Sequence, residues 1–178
     1  MKVIVFSAKA CGGKDTTANF VKEHLKNCNK KVLIIHYADL LKFICKTYFE
    51  WDGQKDAFGR SLLQEVGTDI IRAQEPDFWV DQVVKVLKFF PDRWDYVLVP
   101  DCRFPNEIDK MSKDFETIHV RIIRPNFDNG LSDEQKQHPS ETSLDHAAPD
   151  WLIENDGTLE DLSMRAKEFV SYLLDDNI

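Results

Sequence analysis

Residues 2–18 read KVIVFSAKACGGKDTTA, and the reading of this stretch decides the fold. Its opening, Lys2 to Ser7, is an apolar run of strand length. A loop of small residues, Ala8 to Gly13, follows directly. Lys14 then opens a helical pattern in which Thr17, Phe20, Val21, Leu25 and Cys28 recur at three- and four-residue spacing. A buried strand, a glycine-containing loop and a helix that begins on lysine supply what a phosphate-binding loop needs. Backbone N–H groups and the helix N-terminus wrap an anion, and the lysine reaches its outer oxygens. The usual pattern is G-x-x-x-x-G-K-S/T, from which this chain departs twice, with Ala8 for the first glycine and Asp15 for the hydroxyl residue. Alanine tolerates positive φ poorly, so the loop is expected either to avoid it at residue 8 or to carry strain there. The plainer alternative is an ordinary strand-to-helix turn that happens to contain Gly-Gly-Lys.

Outward from this loop the chain alternates strand and helix. Residues 31–36 read as a second buried strand, and Asp39 begins a helical pattern through Leu40, Phe43, Ile44 and Thr47. Between Arg60 and Phe90 two helical stripes meet at Pro76: Leu62, Leu63, Val66 and Ile70, then Val80, Val83, Val84 and Leu87. Residues 96–99 and 117–123 are further strand candidates, with a helix starting near Pro105 between them. Residues 125–149 are polar, carry three prolines and a glycine, and read as a loop or lid. A last strand near Trp151 to Glu154 leads to a helix striped by Leu159, Leu162, Ala166, Phe169, Val170 and Leu173. Strands apolar on both faces and alternating with helices predict an α/β fold, a parallel five-stranded sheet covered on both sides. Ligands of such sheets sit at the carboxyl ends of the strands, where the loops after Ser7, Val99 and Ile123 would gather.

The 178 residues, 43% hydrophobic and 30% charged, suit one globular domain and exclude disorder. No apolar run reaches membrane-spanning length, and residues 1–7 lack the layout of a signal peptide, so a cytoplasmic protein is expected. A net charge of −8 argues against a nucleic-acid polymer as partner but leaves room for a small anion gripped by a few local cations. Cys11, Cys28, Cys45 and Cys102 show no C-x-x-C pairing and are expected as free thiols.

Residues 7–18, SAKACGGKDTTA, resemble the G-K-D-T variant of the loop in bacteriophage deoxynucleoside monophosphate kinases. Other blocks agree in order. YADLLK (37–42) is similar to that family's segment after the second strand, and LQEVGT (63–68) to its helix on the monophosphate side. DCRFPNE (101–107) resembles its D-x-R-F-P-N-E block, and HPSE (138–141) and NDGT (155–158) its two later motifs. The resemblance implies an adenylate-kinase-like P-loop kinase with ATP as donor, Mg²⁺ as cofactor and a (deoxy)nucleoside monophosphate as acceptor. It implies an acceptor-side helical insertion at about residues 39–90 and a lid at about 125–148. If the protein is phage-encoded, it would act in the host cytoplasm. Whether it forms a homodimer is left open.

Phosphoryl transfer asks mainly for positioning and positive charge, so cations at loop ends are the residues to seek. Lys14, Asp101, Arg103 and Arg124 are the catalytic candidates. Donor binding falls to Lys9, Ala10, Cys11, Gly12, Gly13, Lys14, Asp15, Thr16 and Thr17, and by resemblance to Asn155 and Gly157 beside the adenine. Asp15, Thr16 and Asp101 are the metal candidates. Asp101 could instead cap the helix near Pro105, and Arg103 could pair with Glu107. Arg121 and Arg124 flank the end of the fourth strand, where a closing lid would carry guanidinium groups to the transferring phosphate; Arg124, at the start of the polar segment, is the better candidate, and for Arg121, inside the strand pattern, the alternative is a side chain facing solvent. On the acceptor side Arg103 is joined by Asp39, Lys42, Arg72 and Trp79, and by resemblance by Gln64, Thr68, Glu107 and Glu141. For Lys42 and Arg72 the alternative is a solvated helix face, for Asp39 a cap, and for Trp79 the core. Two rival readings remain: a P-loop kinase of another phosphorylated acceptor such as dephospho-CoA or phosphomevalonate, and an ATP-binding switch that is not a kinase.

Overall fold

The computed structural model of the chain describes residues 1–175. Five strands form one parallel sheet: β1 (Lys2–Ser7), β2 (Val32–Ile34), β3 (Tyr96–Val99), β4 (Glu116–Ile123) and β5 (Trp151–Glu154), in the spatial order β2-β3-β1-β4-β5. The chain leaves β1 for β2, returns to β3 and then crosses to β4 on the far side of β1. The loops after β1, β3 and β4 therefore meet at one place, the switch point where ligands of open α/β sheets bind.

The expected strands are all present, with small shifts in their ends. The run at 31–36 shortens to Val32–Ile34, although the Ile35 N–H still donates to the Leu98 carbonyl at 3.1 Å. The continuous apolar character of β1 follows from its central place. Val3 and Val5 point into one helical layer and Ile4 and Phe6 into the other, and all four are fully buried. The second layer is built from α1 (Lys14–Asn27) and the last helix, α8 (Leu159–Asp175), through Val21, Leu25, Leu162 and Phe169. The first holds α2 (Ala38–Tyr48), α3 (Ala57–Gln64), α4 (Phe78–Phe89) and α5 (Pro105–Ser112).

α3 runs without a break into an eight-residue π-helix, Glu65–Arg72. Its i→i+5 pairing widens the turn and shifts the phase of the residues in it relative to the α-helical stripe set by Leu62 and Leu63. Ile70, expected on the buried stripe with Val66, is accordingly 42% exposed. The segment expected as a loop or lid carries two short helices, α6 (Asp133–Gln137) and α7 (Pro139–Thr142). No described helix is long and apolar enough to cross a membrane. All four cysteines are free thiols, Cys11 and Cys28 exposed and the other two buried.

Candidate functional site

The loop between β1 and α1 is shaped by two glycines. A Cβ on Gly12 would lie 2.8 Å from the Ala8 Cβ and 2.9 Å from the Lys9 carbonyl oxygen. Gly13, at φ 100°, precedes the helix, and a Cβ there would meet the Asn155 side-chain nitrogen at 2.6 Å. Positive φ falls on Cys11 and Gly13 and not on Ala8, so the missing first glycine costs no backbone strain. Asn155 ties the loop to the end of β5 by donating to the Gly12 carbonyl at 3.1 Å.

Lys14 is only 8% exposed, and its ammonium donates to the carbonyls of Ala8 at 2.9 Å and Lys9 at 3.3 Å. Burial pulls its pKa down to about 8; Arg103 adds to the fall, while Glu141, Asp101 and Asp15 oppose it. Thr17 does not reach the loop's cavity. It is fully buried and its hydroxyl donates at 2.9 Å to the carbonyl of Gly13, the residue that precedes α1, in place of the expected donor contact.

A cavity of about 350 Å³ lies over the start of α1 and brings together Cys11, Gly12, Gly13, Lys14, Asp15, Thr16, Arg124, Asn155 and Gly157. Leu159 and Leu162 give it an apolar wall. Arg124 sits at its rim, donating to the Cys11 carbonyl at 3.2 Å with its guanidinium 3.7 Å from the centre of the Phe127 ring. One oxygen of Asp15 accepts from the His36 ring at 2.9 Å. That bond holds Asp15 below the usual carboxylate range and raises His36.

The DCRFPNE block forms a hub behind the loop. Asp101 caps α2 and not α5: its two oxygens accept the N–H groups of Tyr37 and Ala38, each at 3.0 Å. The N-terminus of α5 is served instead by Glu107, which accepts from the N–H groups of Arg103 at 2.8 Å and Phe104 at 3.1 Å. The guanidinium paired with Glu107 is that of Arg72 at 2.5 Å, stacked 3.9 Å from the Phe104 ring centre. Arg72 is thus not on a solvated face, since its side chain is 12% exposed. Trp79 is likewise removed from the acceptor surface. It is 4% exposed and its ring nitrogen donates to the Gly67 carbonyl at 2.9 Å, which places the indole in the core.

Arg103 bonds outward, to the Ser140 carbonyl at 2.8 Å and to the Glu141 carboxylate. The other Glu141 oxygen accepts the Ala10 N–H at 2.8 Å, so this residue bridges the hub and the phosphate loop. Asp145 makes a second bridge, pairing with Lys9 at 2.6 Å and Arg121 at 3.2 Å. Burial would raise its pKa, but the two cations hold it low. Arg121 does not take its solvent-facing alternative: it is 16% exposed and lines a second cavity of about 420 Å³ with Lys9, Ala10 and Asp145. Sheet register explains this, because Arg121 lies opposite Ser7, the last residue before the loop. Of the residues expected on the acceptor side, Asp39 accepts from the His36 N–H at 3.1 Å and pairs with Lys42 at 3.3 Å, and Gln64 and Thr68 are half-buried along α3 and its π-helical extension. His36, Arg121 and Asp145 are the groups that reading the sequence did not select. A charged residue inside a doubly buried strand was the one available signal, for Arg121.

A family model described as deoxynucleotide monophosphate kinase matches residues 34–166. The deoxynucleotide monophosphate kinase of Enterobacteria phage T4 is 30% identical over 116 residues, covering 64% of this chain and 46% of that protein. The chain therefore spans about half the length of the curated relative it matches. Among solved structures, dephospho-CoA kinase from Campylobacter jejuni superposes with a TM-score of 0.57 at 13% identity, covering 97% of each chain. Shikimate kinase from Aquifex aeolicus gives 0.53 at 14% identity, covering 99% of this chain and 98% of that one. APS kinase from Mycobacterium tuberculosis, in complex with AMPPNP and APS, gives 0.53 at 13%, covering 98% and 95%. These likenesses establish the P-loop kinase fold.

Proposed function

The chain belongs to the deoxynucleotide monophosphate kinase family, and from that premise we propose that it transfers the γ-phosphoryl group of ATP to a (deoxy)nucleoside monophosphate, giving ADP and a diphosphate. The observation that carries this reading is the convergence of Lys9, Lys14, Arg103 and Arg121 on the phosphate loop and on the two carboxylates, Glu141 and Asp145, that close over it. Carboxylates stand where phosphate oxygens would be received, and four cations around one loop match the charge that phosphoryl transfer builds up.

In this reading the cavity over α1 receives the donor, with its base near Asn155 and Gly157 and its phosphates on the N–H groups of residues 10–16. Lys14 leaves the Ala8 and Lys9 carbonyls for the outer phosphates. Arg103 exchanges Glu141 for the acceptor phosphate, with Asp39, Lys42, Gln64 and Thr68 forming the acceptor's other wall. Arg72, Glu107 and Trp79 keep that wall rigid. Arg124 enters as the segment at 125–148 closes, and delivers its guanidinium to the moving phosphoryl group.

The residues fit Mg²⁺. That ion keeps several waters and takes one or two carboxylates besides phosphate oxygens, so the exposed Asp15 carboxylate is sufficient as its protein ligand. Thr16 faces the donor cavity, and Asp101, holding two amides, acts by fixing α2. When bound, Mg²⁺ offsets charge on the β- and γ-oxygens. The site of action is the cytoplasm, that of the host if the protein is phage-encoded.

The test is ADP release across a panel of ribo- and deoxyribonucleoside monophosphates, with dephospho-CoA and phosphomevalonate as controls. Release that depends on a nucleoside monophosphate supports the reading. Dependence on a control acceptor, or slow release indifferent to all of them, would replace it with one of the rivals.

A further inference from the structure

Asp15 stands where the usual phosphate loop has a hydroxyl, and a carboxylate on an exposed helix turn has more freedom to lose than a hydroxyl does. Its side chain is 71% exposed, and His36 is the residue that holds it. His36 itself is pinned. The Ile35 N–H donates to Leu98 at 3.1 Å, and the next two N–H groups, of Tyr37 and Ala38, are held by Asp101 at 3.0 Å each. The His36 N–H donates to Asp39 at 3.1 Å, and its ring Nδ1 lies 3.5 Å from the same carboxylate. Its Nε2 is left to meet Asp15 at 2.9 Å. An imidazole so fixed, only 23% exposed, spans from the corner between β2 and α2 to the first turn of α1.

We infer that His36 is a positioning residue for Mg²⁺-nucleotide binding: it occupies one oxygen of Asp15 and so presents the other to the metal side of the phosphate loop. The inference rests on the kinase reading and on Asp15 as the protein's metal ligand. Carboxylate ligands are commonly oriented by hydrogen bonds of this kind, and losing the orienting partner typically costs about tenfold or more in metal affinity. The same bridge joins Asp39 and Lys42 on the acceptor side to the donor loop, through one ring.

The experiment is calorimetric titration of the full chain with ADP, once with Mg²⁺ and once with EDTA, on the wild type, Asp15→Asn, His36→Ala and His36→Gln. The wild type should bind ADP more tightly with Mg²⁺. Asp15→Asn should lose that gain. His36→Ala should lose about tenfold of it, or all of a smaller gain, while its affinity in EDTA stays within about twofold of wild type. His36→Gln, whose amide can donate to Asp15 from a similar reach, should recover part or all of the loss, and His36→Phe, which keeps a ring but has no donor, takes the place of the alanine protein if that does not fold. A His36→Ala or His36→Phe protein that keeps the full Mg²⁺ gain while Asp15→Asn loses it would overturn the inference and leave the kinase reading standing. Equal weakening with and without Mg²⁺ would overturn it too, by making His36 a support of the loop alone. Retention of the gain by Asp15→Asn, or a wild type indifferent to Mg²⁺, would remove the ligand itself and the inference with it.

Discussion

Lys14 should take up a proton when a nucleotide binds. In the free protein its ammonium is buried among carbonyls beside Arg103, which brings its pKa to about 8. A phosphate at the loop adds two or more negative charges next to it and should restore the ordinary value above 10. With a pKa of about 8 the lysine is about one-tenth neutral at about pH 7, half neutral at about pH 8 and nine-tenths neutral at about pH 9. ADP binding should therefore draw in roughly 0.1, 0.5 and 0.9 protons at those three values. Calorimetry in pairs of buffers with widely different ionisation enthalpies reads this number directly, and Lys14→Met should remove the rise. The ligand-free protein gives a companion signal. Because the folded pKa is depressed, the unfolded chain binds the extra proton between about pH 8 and 10.5, so the contribution of Lys14 to stability improves as pH rises through that window, by about 3 kcal/mol in all. Uptake that stays near zero at about pH 9, or persists in Lys14→Met, would refute the account of how the lysine is held.

Arg124→Ala should lower turnover by something like 10³-fold with little change in ATP affinity, and Arg124→Lys should recover only part; steady-state kinetics with binding measured separately decides, and a loss below about tenfold would sink the lid role. Arg72→Ala leaves Glu107 buried and unpaired, so urea unfolding should report a loss of about 3 to 5 kcal/mol, whereas a loss under about 1 kcal/mol would mean that the hub does not depend on this pair. Cys11 is exposed within the phosphate loop, so a bulky thiol reagent should block nucleotide binding and saturating ATP should slow the modification; complete labelling with unchanged ATP affinity would contradict its placement.

The sheet was legible because its signals are local. β1 and β3 are buried on both faces and so read as unbroken apolar runs, and Gly12-Gly13-Lys14 marks a tight turn into α1 where a Cβ would meet Ala8, Lys9 or Asn155. What the sequence did not disclose depends on distant partners. Asp101 caps a helix that begins 63 residues earlier in the chain, at Ala38, and not the helix next to it. Arg121 reads as a strand residue with solvent as its alternative until the register with Ser7 puts it beside the loop. The π-helical turn after Gln64 has the same composition as an α-helix and differs only in its pairing, with the Trp79 indole bonded to a carbonyl inside it. His36 looks like the tail of a strand, and its meaning appears only when α1 is folded against β2.

The central claim, that a phosphoryl group passes from ATP to a nucleoside monophosphate on this loop, is tested most directly by following the label from γ-labelled ATP in the presence of Mg²⁺ and a deoxynucleoside monophosphate. The account predicts that the label appears in the deoxynucleoside diphosphate at a rate that collapses in Lys14→Ala while the variant remains folded. Label found only in inorganic phosphate, or transfer undiminished in the folded Lys14→Ala protein, would contradict it.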